Sequence, residues 1–301
     1  MITNGYKSNE SDKCIYSKSW NNLHVIISLY VDDMLIFGSN MHVINETKNM
    51  LKSHFDMKDL GEANFILYKK ITKTCDGIFL DQSHYVKKIL KKYNFHDHKS
   101  VATSFDFSIN LFPINNDKEI FNQKDYASII GSLRYATDCT RPNIAYAIGV
   151  LSRFTSKPRR DHLLAIEQVM ISLIGTKSYG LFYKKYHVVI EAFSDADWNI
   201  LLGDSLSTTS YTSILGSGAI CWKSKRQTII ANSTMEAELI ALALTSEEEN
   251  WLRDLLYKIT LWEKPIPPIV IHSDSTATIG RVKYCYYNNK SRPIRRKLSI
   301  V

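Results

Sequence analysis

Cysteine, glycine and proline are all scarce in this chain, with five, twelve and seven among 301 residues. The cysteines (Cys14, Cys75, Cys139, Cys221, Cys285) stand singly, odd in number and without a CxxC pair. That spacing excludes a disulfide framework and a zinc knuckle, and it reads as reduced thiols in an intracellular protein, with cytoplasm or nucleus left open. Long hydrophobic runs are missing too. Stretches such as Val25 to Tyr30 fall far short of the roughly 18 residues of a membrane span, and the polar start MITNGYKSNESDK has no signal-peptide core, so no membrane partner is expected. There is no Gly-rich phosphate loop, no HExxH spacing among the histidines, no repeat of solenoid period and no low-complexity tract.

What is present suits folded domains. At 45% hydrophobic and 23% charged the chain can bury one or two sizeable cores, which excludes disordered and fibrous classes. The net charge of +8 is unevenly placed: Arg281 to Val301 holds seven bases and no acid, so the body is near neutral and the tail is a cation. Tyr284, Tyr286 and Tyr287 interleave those bases. That pattern fits a surface tracking a phosphate backbone as well as it fits a frayed, solvated end.

The runs VIISLY and MLIFG flank an acidic pair, which predicts a hairpin with Asp32 and Asp33 at its tip. Helical spacing follows, with Val43, Ile44, Thr47, Met50, Leu51 and Phe55 on one face and Ser39 or Asn40 as N-cap. A second hairpin is expected over ANFILYKKITKT and IFLDQ around Asp76-Gly77, then a helix capped by Ser83. On that helix Lys87, Lys88, Lys91 and Lys92 read as a solvated face opposite the apolar one. Residues 97 to 122 read as a linker. Helices resume with faces at Tyr126, Ile129, Ile130 and Leu133, then after Pro142, then from Asp161, where His162 on an apolar face reads as a satisfied core histidine. After Gly180 the segments LFY, VVIEAFSD, YTSILGSGAICWKS and QTIIANS predict an antiparallel meander, with a turn or bulge at Gly216-Ser-Gly218. Trp198, Trp222, Trp251 and Trp262 read as core packing.

Two strands end alike, EAFSD at Asp195 and VIHSD at Asp274, each delivering an acid to the rim of a sheet. Between them Ser233-Thr-Met-Glu236 is a capping box opening a long helix. Glu236 and Glu238 lie about 200° apart on it. With Glu236 used in the cap, Glu238 is the free helical acid, and Asp195, Glu238 and Asp274 would converge on one rim. Three hard oxygen ligands suit Mg²⁺ or Mn²⁺ and a two-metal phosphodiester hydrolysis. Asp197 is the nearest competitor, because it shares a face with Asp195 if the strand continues.

Taken together, the segments SLYVDDMLIFGS (28–39), DMKDLGEANFIL (56–67), QSHYVKKIL (82–90), IIGSLRYATDCTRPNIAYAIGVLSRF (129–154), FSDADW (193–198), STTSYTSILGSGAICWKSKRQ (207–227), STMEAELIAL (233–242) and IHSDSTATIGRVK (271–283) resemble the C-terminal part of a copia-type retrotransposon polyprotein. The resemblance runs from the middle of its reverse transcriptase through its ribonuclease H. It implies an α+β and α/β chain: an incomplete reverse-transcriptase palm and thumb over 1–100, a helical connection over 101–187, and a ribonuclease H-like mixed sheet with flanking helices over 188–301. It places Tyr30-Val31-Asp32-Asp33 on the palm's metal-binding YxDD turn, and Asp195, Glu238 and Asp274 on the first three acids of the nuclease site. The implied partners are RNA–DNA hybrid and other polyprotein-derived chains; the candidate nucleic-acid contacts are Tyr30 of the palm turn and, from the charge of the tail, Arg292, Arg295 and Arg296.

Departures from the family shape the expectation. The palm's first acid precedes the YxDD turn in the family and falls upstream of this chain, so no polymerase activity is expected from the chain alone. Tyr68 stands where the family's FILG has glycine, at a position expected to need a positive φ or close backbone approach. No acid follows Asp274, and Arg295 falls where relatives carry a fourth carboxylate. Two functions stay open: hydrolysis of RNA in hybrids, or a truncated remnant that at most binds nucleic acid.

Overall fold

The structure is a computed structural model in which residues 1–95, 98–106, 108–109, 111, 121–185, 189–198, 205–259, 262 and 264–283 are described. Arg292, Arg295, Arg296 and the tyrosines of the tail lie outside them. The architecture is α+β, and it divides into two compact units: residues 1–66 with 248–268, and residues 67–247 with the segment from 269 onward. Among the described residues, no helix is long and apolar enough to cross a membrane.

The first unit is built on an antiparallel sheet of β1 (Lys7–Ser8), β2 (Ile15–Trp20), β3 (Leu23–Tyr30) and β4 (Asp33–Gly38), in that order. The expected hairpin is β3–β4, pairing Val25 with Gly38 at one end and Tyr30 with Asp33 at the other. Asn40 is the N-cap of α1 (Met41–Lys52), its side-chain oxygen accepting from the Val43 N–H at 3.0 Å. Val43, Thr47 and Leu51 are buried against Val25, Ile27 and Tyr6, whereas Phe55 lies past the helix end and is exposed. The short strand β5 (Phe65–Ile66) closes this stretch. Residues 248–268 return to it: the Asn9 amide donates to the Leu255 carbonyl at 3.1 Å, and Trp251 Nε1 donates to the Ser11 carbonyl at 3.2 Å.

In the second unit β6 (Lys69–Lys73), β7 (Gly77–Asp81) and β8 (Gly180–Lys184) form an antiparallel sheet. β6 starts later than expected because Leu67 and Tyr68 take left-handed φ values of 48° and 56°, which strands do not accommodate. The helix α2 (Ser83–Lys92) follows. Its cap is not Ser83, which is already helical; Gln82 holds the cap position and the Asp81 carboxylate accepts the Ser83 N–H at 2.9 Å. Next come α3 (Gln123–Thr140), α4 (Ala145–Leu151) and α5 (Arg160–Gly175). These pack with α2 around Leu133, Ile148, Ile166 and Met170, all essentially inaccessible. His162 is a satisfied core histidine: its ring bonds the Leu111 carbonyl at 2.9 Å and accepts from the Arg159 N–H, and it stacks on Phe154. Burial lowers its pKa.

A third sheet holds β9 (Glu191–Asp197), β10 (Thr208–Leu215), β11 (Gly218–Arg226) and β12 (Val270–His272) in the order β11-β10-β9-β12. The expected meander is only partly realised. LFY joins β7 rather than the meander, and QTIIANS forms no strand. Instead Ala231 is buried beside Ala196, Ala237 and Ile240, and its carbonyl accepts from Trp198 Nε1. Gly216-Ser217 turns β10 into β11 with both residues at positive φ. α6 (Thr234–Tyr257) precedes β12, and α7 (Thr276–Lys283) follows it.

Candidate functional site

β12 runs parallel to β9 with His272 beside Phe193, so two residues further along Asp274 and Asp195 leave neighbouring strands side by side. The third acid comes from the start of α6. The Glu236 N–H donates to Ser233 Oγ at 3.2 Å, while the Glu236 carboxylate accepts from the Asn232 backbone and side chain. This is the capping role read from the sequence, displaced by one residue. It turns Glu238 toward the sheet. The helix start is pinned there by the Gln227 amide, which donates to the Ala237 carbonyl and to Thr209 Oγ1 at 3.0 Å each. Thr278 of α7 adds a bond to the Met235 carbonyl.

The structure thus brings together Asp195, Glu238 and Asp274, each offering a carboxylate oxygen within 4.8 Å of the others. It is the one such group among the described residues. Glu238 is buried, with one oxygen accepting from the Ala196 N–H at 3.2 Å and the other buried without a hydrogen-bond partner. An orphaned buried carboxylate oxygen facing two more carboxylates is costly unless a cation completes it. Burial pushes the Glu238 carboxyl up to about 7, with Asp195 and Asp274 adding repulsion against the pull of the Ala196 N–H. Asp195 is raised for the same reasons, burial first and then Asp274. A donor set made wholly of carboxylates suits a hard divalent cation.

Asp197 is not part of the group. The strand does continue to it, but the Thr208 N–H and the Tyr146 hydroxyl, the latter at 2.8 Å, both donate to its carboxylate. Tyr146 reaches it because α4 lies close on β11 at Gly149, where a Cβ would stand 2.9 Å from the Ser224 carbonyl oxygen. Nothing in the local sequence around Tyr146 signalled that bond.

Asp32 and Asp33 are exposed at the tip of the β3–β4 hairpin beside the exposed Tyr30, in the other unit. Val31 occupies the turn at φ 51°, a left-handed conformation that a β-branched residue adopts only under constraint. No third metal-capable side chain joins the pair among the described residues.

Comparison with known proteins bears on both regions. Residues 1–106 match the family described as reverse transcriptase (RNA-dependent DNA polymerase). The retrovirus-related Pol polyprotein from transposon TNT 1-94 of Nicotiana tabacum is 35% identical over 98% of this chain and 22% of its own length. That from transposon RE1 of Arabidopsis thaliana is 32% identical over 92% of this chain and 19% of its own. An uncharacterized mitochondrial protein of Arabidopsis thaliana is 34% identical over 74% of this chain and 92% of its own length. The chain belongs to the copia-type retrotransposon Pol polyprotein family. As a copia-type chain it spans about a fifth of the length of the transposon polyproteins it matches, and its reverse transcriptase-like part includes the β3–β4 hairpin.

Proposed function

We propose that this copia-type chain hydrolyses the RNA strand of RNA–DNA hybrids by two-metal chemistry at Asp195, Glu238 and Asp274. Residues 188–301 form the ribonuclease H-like part, 101–187 the connection, and 1–100 the end of a reverse-transcriptase palm and thumb. The observation that carries the reading is the convergence of three carboxylates around the unpartnered oxygen of Glu238. Bound Mg²⁺ or Mn²⁺ would supply charge stabilisation and water activation for attack on the phosphodiester. The chain's own part is positional. The Ala196 N–H holds Glu238 in one rotamer, the parallel register of β9 and β12 holds Asp195 and Asp274 abreast, and their exposure leaves the rim open to a backbone phosphate.

Polymerisation is not expected from this chain alone. Nucleotidyl transfer needs acids on both sides of the metals, and Asp32 with Asp33 provides one side. The purified chain, given a hybrid labelled on its RNA strand with Mg²⁺ or Mn²⁺, should shorten the RNA. Asp195→Asn should abolish the shortening, and equal rates for the two proteins would sink the proposal. A second reading, a remnant that binds hybrid without cutting it, draws on Tyr68, a bulky residue in a left-handed backbone position where the family has glycine. Retained hybrid binding with an intact RNA strand would select it.

A further inference from the structure

Asp197 ends β9 two residues beyond Asp195, and its carboxylate is held from outside the strand. The Thr208 N–H donates to it across the β9–β10 pair, and the Tyr146 hydroxyl donates to it from α4 at 2.8 Å. Two donors on separate elements fix the side chain and the backbone that carries it. Both donors are themselves anchored. Thr208 is buried, and Arg153, in the helical turn Ser152–Phe154 after α4, donates to its Oγ1 at 2.8 Å. The Tyr146 ring meets Phe105 edge-on with centroids 5.4 Å apart, and α4 itself is seated on β11 at Gly149. Burial, and then Asp197 beside it, push the Tyr146 hydroxyl up, so it stays protonated and able to donate.

The peptide between the two aspartates is the one that bears on Glu238. The Ala196 N–H holds one Glu238 oxygen at 3.2 Å and leaves the other without a partner. In the ladder Ala196 pairs with Thr209, whose Oγ1 accepts from the same Gln227 amide that donates to the Ala237 carbonyl next to Glu238. The ends of β9 and β10 and the start of α6 are thus tied into one network, and α4 closes it. Groups that orient metal ligands from behind matter to the ion, and losing one typically costs roughly 10–100-fold in affinity or activity.

We propose that Tyr146 is a positioning residue of the acidic centre: through Asp197 it fixes the Ala196 peptide, and that peptide holds Glu238 in place for the cation. The proposal rests on the reading of Asp195, Glu238 and Asp274 as a metal centre. It gives α4, which carries none of the three acids, a part in building their site.

The experiment titrates the full chain with Mn²⁺, following the free ion by its electron paramagnetic resonance signal, below the thermal midpoint of every variant. Wild type should bind, and Asp195→Asn should bind far more weakly. Tyr146→Phe removes one hydroxyl and leaves Asp197 the Thr208 N–H, so it should fold yet bind Mn²⁺ about ten-fold more weakly. In hybrid cleavage the same variant should need about ten-fold more Mn²⁺ for its half-maximal rate and approach the wild-type rate at saturation. Asp197→Asn is the rescue: its amide can accept from Thr208 and donate to the Tyr146 oxygen, so its affinity should stay near wild type while Asp197→Ala falls with Tyr146→Phe. In EDTA, exchange of the Ala196 amide followed by NMR should quicken in Tyr146→Phe. A Tyr146→Phe protein with wild-type Mn²⁺ affinity and wild-type Ala196 exchange would overturn the proposal. So would Asp197→Asn as damaging as Asp197→Ala, which would make Asp197 a ligand. Equal Mn²⁺ affinity for wild type and Asp195→Asn would overturn the metal reading and the proposal with it, an outcome told apart from the others by those two titrations alone.

Discussion

Replacing Glu238 by Gln separates what the acidic centre costs the fold from what it does for a cation. The carboxyl is pushed from its ordinary 4.5 up to about 7 by burial and by Asp195 and Asp274. A raised carboxyl pKa means that the folded chain holds the proton more tightly than the unfolded one. The stabilising contribution is therefore complete below about pH 4.5 and is lost as the pH rises through about 7. The full displacement corresponds to roughly 3 kcal/mol, and screening at a rim where Asp195 and Asp274 meet water reduces it to about 1–2 kcal/mol. In EDTA at pH 8, Glu238→Gln should then be more stable than wild type by about 1–2 kcal/mol, raising the thermal midpoint by about 2–6 °C. Near pH 4 the two should coincide. Saturating Mg²⁺ or Mn²⁺ should reverse the order, since a cation present at about 100 times its Kd adds about 2.7 kcal/mol to the protein that binds it. Thermal scans from pH 4 to 8, with and without metal, measure all of this. A Gln variant that is less stable than wild type at pH 8 in EDTA, or that gains as much from the metal, would refute the account of Glu238 as a strained ligand.

Three further outcomes follow from other residues. Gly131→Ala, inside α3 and facing open space, should stabilise the chain by about 0.5–1 kcal/mol in urea melts through helix propensity alone. Val31→Gly should relieve the left-handed turn between β3 and β4 and stabilise its unit by about 0.5–1 kcal/mol, a loss instead showing that the turn is unstrained. Changing Arg292, Arg295 and Arg296 together to Ala should flatten the salt dependence of hybrid binding by about two to three in slope, and an unchanged slope would return the tail to a solvated end.

Where local chemistry decides a feature, the sequence was a good guide. The β3–β4 hairpin, the Asn40 cap and the use of Glu236 in a cap depend on residues within a few positions of one another, and all three are found. The approach of Asp195, Glu238 and Asp274 was also legible, because each is placed by the end or start of a regular element. Pairing across long separations was not. LFY has the same β pattern whichever sheet receives it, and it pairs with β7 a hundred residues earlier rather than with the next strand. QTIIANS reads as a strand from its two isoleucines, but the segment's apolar contacts are made to Ala196 and the start of α6 instead of through a ladder. Asp197 looked equivalent to Asp195 by alternation, and only the Tyr146 hydroxyl and the Thr208 N–H distinguish them.

The return of residues 248–268 to the first unit has a consequence for how the chain is made. Strands β1 to β4 leave the ribosome well before the segment whose Leu255 carbonyl receives the Asn9 amide, which emerges only after residues 67–247. At about 5–20 residues per second that wait is roughly 10–35 s, far longer than a hairpin needs to form. The sheet and the α1 helix packed on it therefore form long before these tethers exist, with β1 and β4 as the sheet's edges. A product released before residue 248 would keep the Asp32–Asp33 hairpin and the core packed by α1 but lose the partners of Asn9, Glu10 and Ser11, so premature termination should loosen the connection between β1 and β2 while leaving the rest of the sheet folded.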